Sequence, residues 1–104
     1  MAAREPEQFL YVTTTGRKSG EPREIEIWFT EHEGRYYIIA EHGRRANWVR
    51  NILVNADVQV RVVGRDFAAT ARVLSDNFDI EMARLRSREK YGWGDGLVVE
   101  LTPK

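Results

Sequence analysis

Between residues 57 and 73 the chain alternates apolar and polar side chains twice over. Val58, Val60 and Val62 share one face, Val63-Gly64-Arg65 offers a turn, and Phe67, Ala69, Ala71 and Val73 share one face of the returning segment. Successive side chains of a strand point to opposite faces, so this pattern predicts a β-hairpin with one buried side. The rest of the chain supplies partners. Phe9 to Thr15 is an apolar run that reads as a strand. Arg23 to Glu31 reads as a second, with Ile25, Ile27 and Phe29 on one face and Glu24, Glu26 and Trp28 on the other. Glu33-Gly34 marks a tight turn. Tyr36 to Ala40 is apolar on both faces and is expected to be central in its sheet. Leu97 to Leu101 forms a last strand.

Two segments carry the helical period instead. In Gly43 to Leu53, Trp48, Val49, Ile52 and Leu53 fall on one face. Ser75-Asp76-Asn77 provides capping residues for a helix to about Lys90, with Phe78, Met82 and Leu85 as its apolar stripe. Six mostly antiparallel strands and two helices predict a mainly β chain that closes into a small barrel, because closure removes exposed edges.

A chain of 104 residues is expected to form one domain over residues 1–104, with residues 1–8 as a loose or helical arm. Sixteen basic and sixteen acidic residues cancel, which argues against a general nucleic-acid binder. The absence of cysteine excludes disulfides, zinc-thiolate sites and thiol catalysis. The polar start, without a signal-peptide pattern, leads to the expectation of a cytoplasmic protein. No apolar run approaches the ~20 residues of a membrane-spanning helix.

The most unusual chemistry lies between the first two strands, in Gly16-Arg17-Lys18-Ser19-Gly20-Glu21-Pro22-Arg23. Glycines let the backbone bend and Pro22 stiffens the exit. Three cations, a hydroxyl and backbone N–H groups on one turn can cradle a phosphate or carboxylate. A solvated basic hairpin turn is the alternative reading. Tyr91-Gly92-Trp93-Gly94-Asp95-Gly96 forms a glycine-rich aromatic loop. No metal site is expected, since an extended strand between His32 and His42 holds them on the order of 30 Å apart.

The run Thr13-Thr14-Thr15-Gly16-Arg17-Lys18-Ser19-Gly20-Glu21-Pro22-Arg23 resembles the deazaflavin (coenzyme F420)-dependent nitroreductase family. The resemblance continues through Trp28-Phe29, Tyr36-Tyr37, Trp48 and Asn51, Asn55 to Val60, and Val98-Val99-Glu100-Leu101. It implies a split β-barrel of the FMN-binding, pyridoxamine-phosphate-oxidase-like type, and a hydride transfer from reduced coenzyme F420 to a nitro-aromatic, quinone or similar acceptor. It implies that Arg17, Lys18, Ser19, Gly20 and Arg23 hold the cofactor's phosphate and acidic tail, with Arg45 or Arg44 adding charge. Ala40 and Trp48 would line the cofactor pocket, although Trp48 also reads as a core anchor of its helix. Trp28 and Tyr91 would face the substrate, with Tyr91 able to donate a proton, and Trp93 is a further candidate. A deazaflavin carries the hydride itself, which fits the absence of any convincing catalytic triad or carboxylate pair. The chain departs from the family pattern at Glu26, where proline is frequent, and in the short segment Glu41 to Asn47 before Trp48. An FMN-binding reductase and a non-catalytic binder of a cofactor or apolar ligand remain as alternatives. A homodimer is expected, since related barrels commonly pair.

Overall fold

The computed structural model describes residues 8–104; the arm expected over residues 1–8 lies, apart from Gln8, outside the described residues. The hairpin that opened the sequence reading is present as β5 (Asp57–Val62) and β6 (Arg65–Val73), joined at Val63 and Gly64, both with positive φ. Around it lie β1 (Phe9–Thr15), β2 (Pro22–Trp28), β3 (Thr30–His32), β4 (Arg35–Ala40) and β7 (Leu97–Pro103). A 3₁₀ turn, Gly43–Arg45, leads into helix α1 (Asn47–Val54), and helix α2 covers Asn77–Tyr91. All strand pairs are antiparallel and the sheet order is β2-β1-β5-β6-β7-β4-β3.

That order forces curvature. The two edge strands, β2 and β3, are separated in the chain by Phe29 alone. A sheet whose opposite edges meet across one residue must curl on itself, and β2 approaches β4 across the seam. The inward set Leu10, Val12, Ile38, Val60, Val99 and Leu101 fills the interior, and Ile52 of α1 packs against it. α2 covers the outer face of β4 and β7, where Ala83 meets Tyr37, Leu74 and Val98. Glu100 is buried on that outer face, which is tolerable because Arg72 Nη2 lies 3.0 Å from its carboxylate and the Tyr37 hydroxyl donates at 3.1 Å.

Four expectations need correction. Arg23 to Glu31 is not one strand but two, broken at Phe29, so the sheet has seven strands rather than six. β4 is buried on both faces without being central: it lies next to the edge, covered outside by α2 and inside by the barrel core. Of the stripe Phe78, Met82, Leu85 only Met82 packs against the core; Phe78 is 78% and Leu85 55% exposed, and α2 buries the small side chains of Ala83 and Ser87 with Ile80 and Met82 beside them. On α1, Leu53 is exposed while Val49 and Ile52 are buried. No described helix is long and apolar enough to cross a membrane.

Candidate functional site

The loop Gly16 to Glu21 is closed by its own backbone. Gly16 N–H donates to Glu21 O and Gly20 N–H to Gly16 O, both at 2.8 Å. A Cβ on Gly16 would stand 2.7 Å from Ser19 Oγ and 3.2 Å from Glu21 O, so the fold of the turn demands glycine there. Ser19 Oγ accepts from Glu21 N–H at 3.1 Å and from Arg23 Nη2 at 3.5 Å. Because the amides of Gly16, Arg17, Gly20 and Glu21 are engaged within the protein, the nest expected from the glycines is narrower than the sequence suggests.

Arg17 is the organised cation. Its backbone N–H and its Nη1 both donate to Asn51 Oδ1, at 3.1 and 2.9 Å, and Nη2 reaches Asn47 Oδ1 at 3.4 Å. Asn51 Nδ2 in turn donates to the buried Thr14 Oγ1 at 3.0 Å, which fixes the orientation of the amide. Asn47 and Asn51 stand one turn apart on α1 and so present both amides to the loop. Amide oxygens orient the guanidinium without neutralising it. Among the described residues no carboxylate pairs with Arg17, Lys18 or Arg23. The three cations line a cleft of about 310 Å³ together with Asn47, Asn51 and Trp48.

Trp48 also lines a second cleft, of about 580 Å³, so the two adjoin. Its walls are Ala40, Ile27, Trp28 and Trp93, with Glu26, Glu41 and His42 as its ionisable side chains. Trp28 and Trp93 meet edge-on, with centroids 6.4 Å apart. The loop carrying Trp93 sits tightly on α2, since a Cβ on Gly94 would come within 2.5 Å of Arg84 O. Arg84 Nη2 further holds Gly96 O at 2.7 Å. Glu26 accepts from the Tyr11 hydroxyl, and this hydrogen bond is the leading cause that raises the Tyr11 phenol above its ordinary range.

Tyr91, expected to face the substrate, is not among the residues lining either cleft but stands behind Trp28. Its ring lies flat beneath Trp28, with centroids 4.4 Å apart and planes within 3°. Its hydroxyl accepts from Phe29 N–H at 3.0 Å and stands 2.7 Å from Phe29 O and 2.5 Å from Gln8 O. Lys90 Nζ donates to the same Phe29 carbonyl at 2.9 Å and stands 3.9 Å from the centre of the Phe29 ring. The single residue at the barrel seam has no strand partner for its amide, and α2 supplies one. Burial raises the Tyr91 phenol above its ordinary value, against the lowering effect of the Phe29 amide. The hydroxyl is thus engaged with the backbone at Phe29 and Gln8, while the ring stacks on Trp28.

The remaining candidates divide. Arg17, Lys18, Ser19 and Arg23 share one cleft; Ala40, Trp28 and Trp93 share the other, and Trp48 joins them. Gly20 shapes the turn with φ 76°. Arg45, with Arg44, is exposed on the 3₁₀ turn and lines neither cleft. The sequence reading missed Asn47 as a partner of Arg17, and gave Asn51 no role in the site. Their i, i+4 spacing opposite the loop was the available signal. Among the described residues no group of three His, Asp or Glu side chains converges.

A model of the F420H(2)-dependent quinone reductase family matches residues 3–95. The F420H(2)-dependent quinone reductase of Mycobacterium tuberculosis is 32% identical over 79 residues, covering 73% of this chain and 52% of that protein. The chain thus spans about half the length of the curated relatives it matches. Among solved structures, an F420-H2 dependent reductase superposes with a TM-score of 0.77 at 23% identity, over 97% of this chain and 98% of that one. A Listeria innocua protein assigned as a pyridoxamine 5'-phosphate oxidase gives 0.75 at 14% identity, over 96% and 86%. These likenesses carry the fold, a split β-barrel of the pyridoxamine-phosphate-oxidase-like type. With most of its length matched by one family model, the chain belongs to the F420H(2)-dependent quinone reductase family.

Proposed function

We propose that the chain is an oxidoreductase that uses coenzyme F420 and reduces a quinone, nitro-aromatic or similar conjugated acceptor. The observation that carries this reading is the junction at Trp48. On one side lie three cations without a carboxylate partner among the described residues; on the other lies an apolar aromatic cleft. A cofactor with a flat ring and a polyanionic tail fits that pair of surfaces. Arg17, Lys18 and Arg23 would hold the tail, and Ala40 and Trp48 would border the ring. When bound, the reduced deazaflavin supplies a hydride. The protein's own part is to orient, to exclude water through Trp28, Trp48 and Trp93, and to hold the acceptor against the ring.

The test is anaerobic oxidation of reduced coenzyme F420 by the protein with a soluble quinone and a nitro-aromatic, followed by absorbance, with FMN binding titrated alongside. The expected result is acceptor-dependent oxidation and tight deazaflavin binding. Binding of FMN but not the deazaflavin would keep the fold and replace the cofactor; binding of neither would overturn the reading. A homodimer accompanies this proposal, because Phe78 and Leu85 leave an apolar stripe on α2 in solvent. Sedimentation should show a dimer at micromolar concentration, and a monomer would count against it.

A further inference from the structure

The two clefts that meet at Trp48 carry opposite charge. The loop cleft holds Arg17, Lys18 and Arg23; among the described residues the aromatic cleft has no lysine or arginine in its lining, and its charged side chains are Glu26 and Glu41. Both glutamates are exposed at the mouth, and among the described residues neither forms an ion pair. The hydrogen bond from the Tyr11 hydroxyl orients Glu26 without cancelling its charge. Arg44 and Arg45 follow Glu41 in the chain, yet lie outside the lining. Among the described residues His42 is the one other ionisable group there.

We infer that the aromatic cleft selects its acceptor by charge: Glu26 and Glu41 admit neutral or cationic planar acceptors and turn away anionic ones. This rests on the proposed function, in which that cleft receives the acceptor, and it names the class of acceptor more closely. The division has a physical use. An anionic acceptor would otherwise be drawn to the three cations next door and compete with the cofactor's tail. Two like charges at the mouth of a cleft with aromatic, low-dielectric walls disfavour an anion on the order of tenfold at low salt. The effect shrinks as the Debye length contracts.

All three tryptophans of the chain line this cleft, and of them only Trp48 also borders the basic one, so intrinsic fluorescence reports its occupancy through Trp28 and Trp93. The experiment titrates a neutral naphthoquinone and its sulfonate against wild type, Glu26→Gln, Glu41→Gln and the double variant, at low and high salt. The sulfonate differs in hydrophobicity as well as charge, so the readout is the change in the affinity ratio between proteins. Wild type should prefer the neutral quinone, and the double variant should narrow the ratio about tenfold, each single variant by a part of that. High salt should narrow it in wild type without any substitution. Glutamine keeps the acceptor for the Tyr11 hydroxyl, so Glu26→Gln preserves the local contact. If the sulfonate binds wild type as well as the neutral quinone does, or the ratio ignores both salt and substitution, the inference is overturned. Turnover with reduced coenzyme F420 is measured separately. Selective binding without turnover would sink the proposed function alone; turnover without selectivity would sink this inference alone.

Discussion

The basic cleft and the aromatic cleft share one tryptophan and are built in opposite ways. The basic cleft is made by a turn and a helix that each hold their own geometry. Gly16 permits the turn, and Asn47 and Asn51, one helical turn apart, hold Arg17. The aromatic cleft depends on closure of the barrel. Trp28 ends β2 at the seam, Tyr91 of α2 supports it from below, and Trp93 arrives on a loop packed against the same helix. The cations of a charge-recognition surface can thus come from one turn, with helix α1 docking 30 and 34 residues on to orient Arg17, while an apolar slot between distant segments needs the whole fold to bring its walls together.

The difference can be broken from either side. The largest expected effect is at Arg17. Arg17→Ala removes an oriented, unneutralised guanidinium, and a charge-assisted hydrogen bond is worth about 1.5–3 kcal/mol, so affinity for the deazaflavin should fall roughly ten- to hundredfold. Naphthoquinone binding, read by tryptophan fluorescence, should stay within about twofold. Loss of both together would show that the clefts are one unit. Lys18→Ala removes an exposed charge and should cost less, on the order of three- to tenfold. Calorimetric titration of both variants would rank them.

Tyr91→Phe attacks the other side. It keeps the ring under Trp28 and deletes the hydroxyl that serves Phe29 at the seam. Leaving that amide without its partner should cost about 1–3 kcal/mol in urea unfolding. Quinone affinity should weaken while tail binding persists. If Tyr91 were instead a proton donor, the variant would lose turnover at unchanged stability, and the positioning role would be wrong.

Salt separates the clefts without mutation. Raising ionic strength from about 0.05 to 0.5 M should weaken deazaflavin binding several-fold and leave neutral quinone binding nearly constant. Equal sensitivity of both would erase the contrast.

The smallest effect is in alkali. Burial holds the Tyr91 phenol above its ordinary value of 10.0. The native state therefore keeps this proton after the unfolded chain has lost it. The stability from this group is present in full below about pH 10 and is lost as pH rises through the folded value. Unfolding free energy should fall above about pH 10, and less steeply in Tyr91→Phe; an unchanged slope would show that other groups set it.

The basic loop was legible because its cations, glycines and proline are consecutive. The boundaries of β1, the β5–β6 hairpin and the Asp76 cap of α2 were legible for the same reason: period and capping act over a few residues. The role of Tyr91 was not, since its partners Gln8 and Phe29 lie 83 and 62 residues away. Nor was the burial of α2. Phe78, Met82 and Leu85 form a fair stripe on paper, yet of these only Met82 packs inward, and the helix docks with Ala83 and Ser87 buried and Ile80 beside them.

The sequence by itself determined that this chain makes antiparallel strands and two helices and that one turn between strands gathers positive charge. Both follow from side-chain period and residue chemistry, which are local. Only the tertiary structure decided that the strand from Arg23 onward breaks at Phe29. Neither half is irregular in pattern; the break exists because a curled sheet must pass its chain from one edge to the other, and only closure defines where that crossing falls. The same closure sets Trp28 beside Trp93 and leaves Glu26 and Glu41 at the mouth of a cleft that no stretch of the sequence contains.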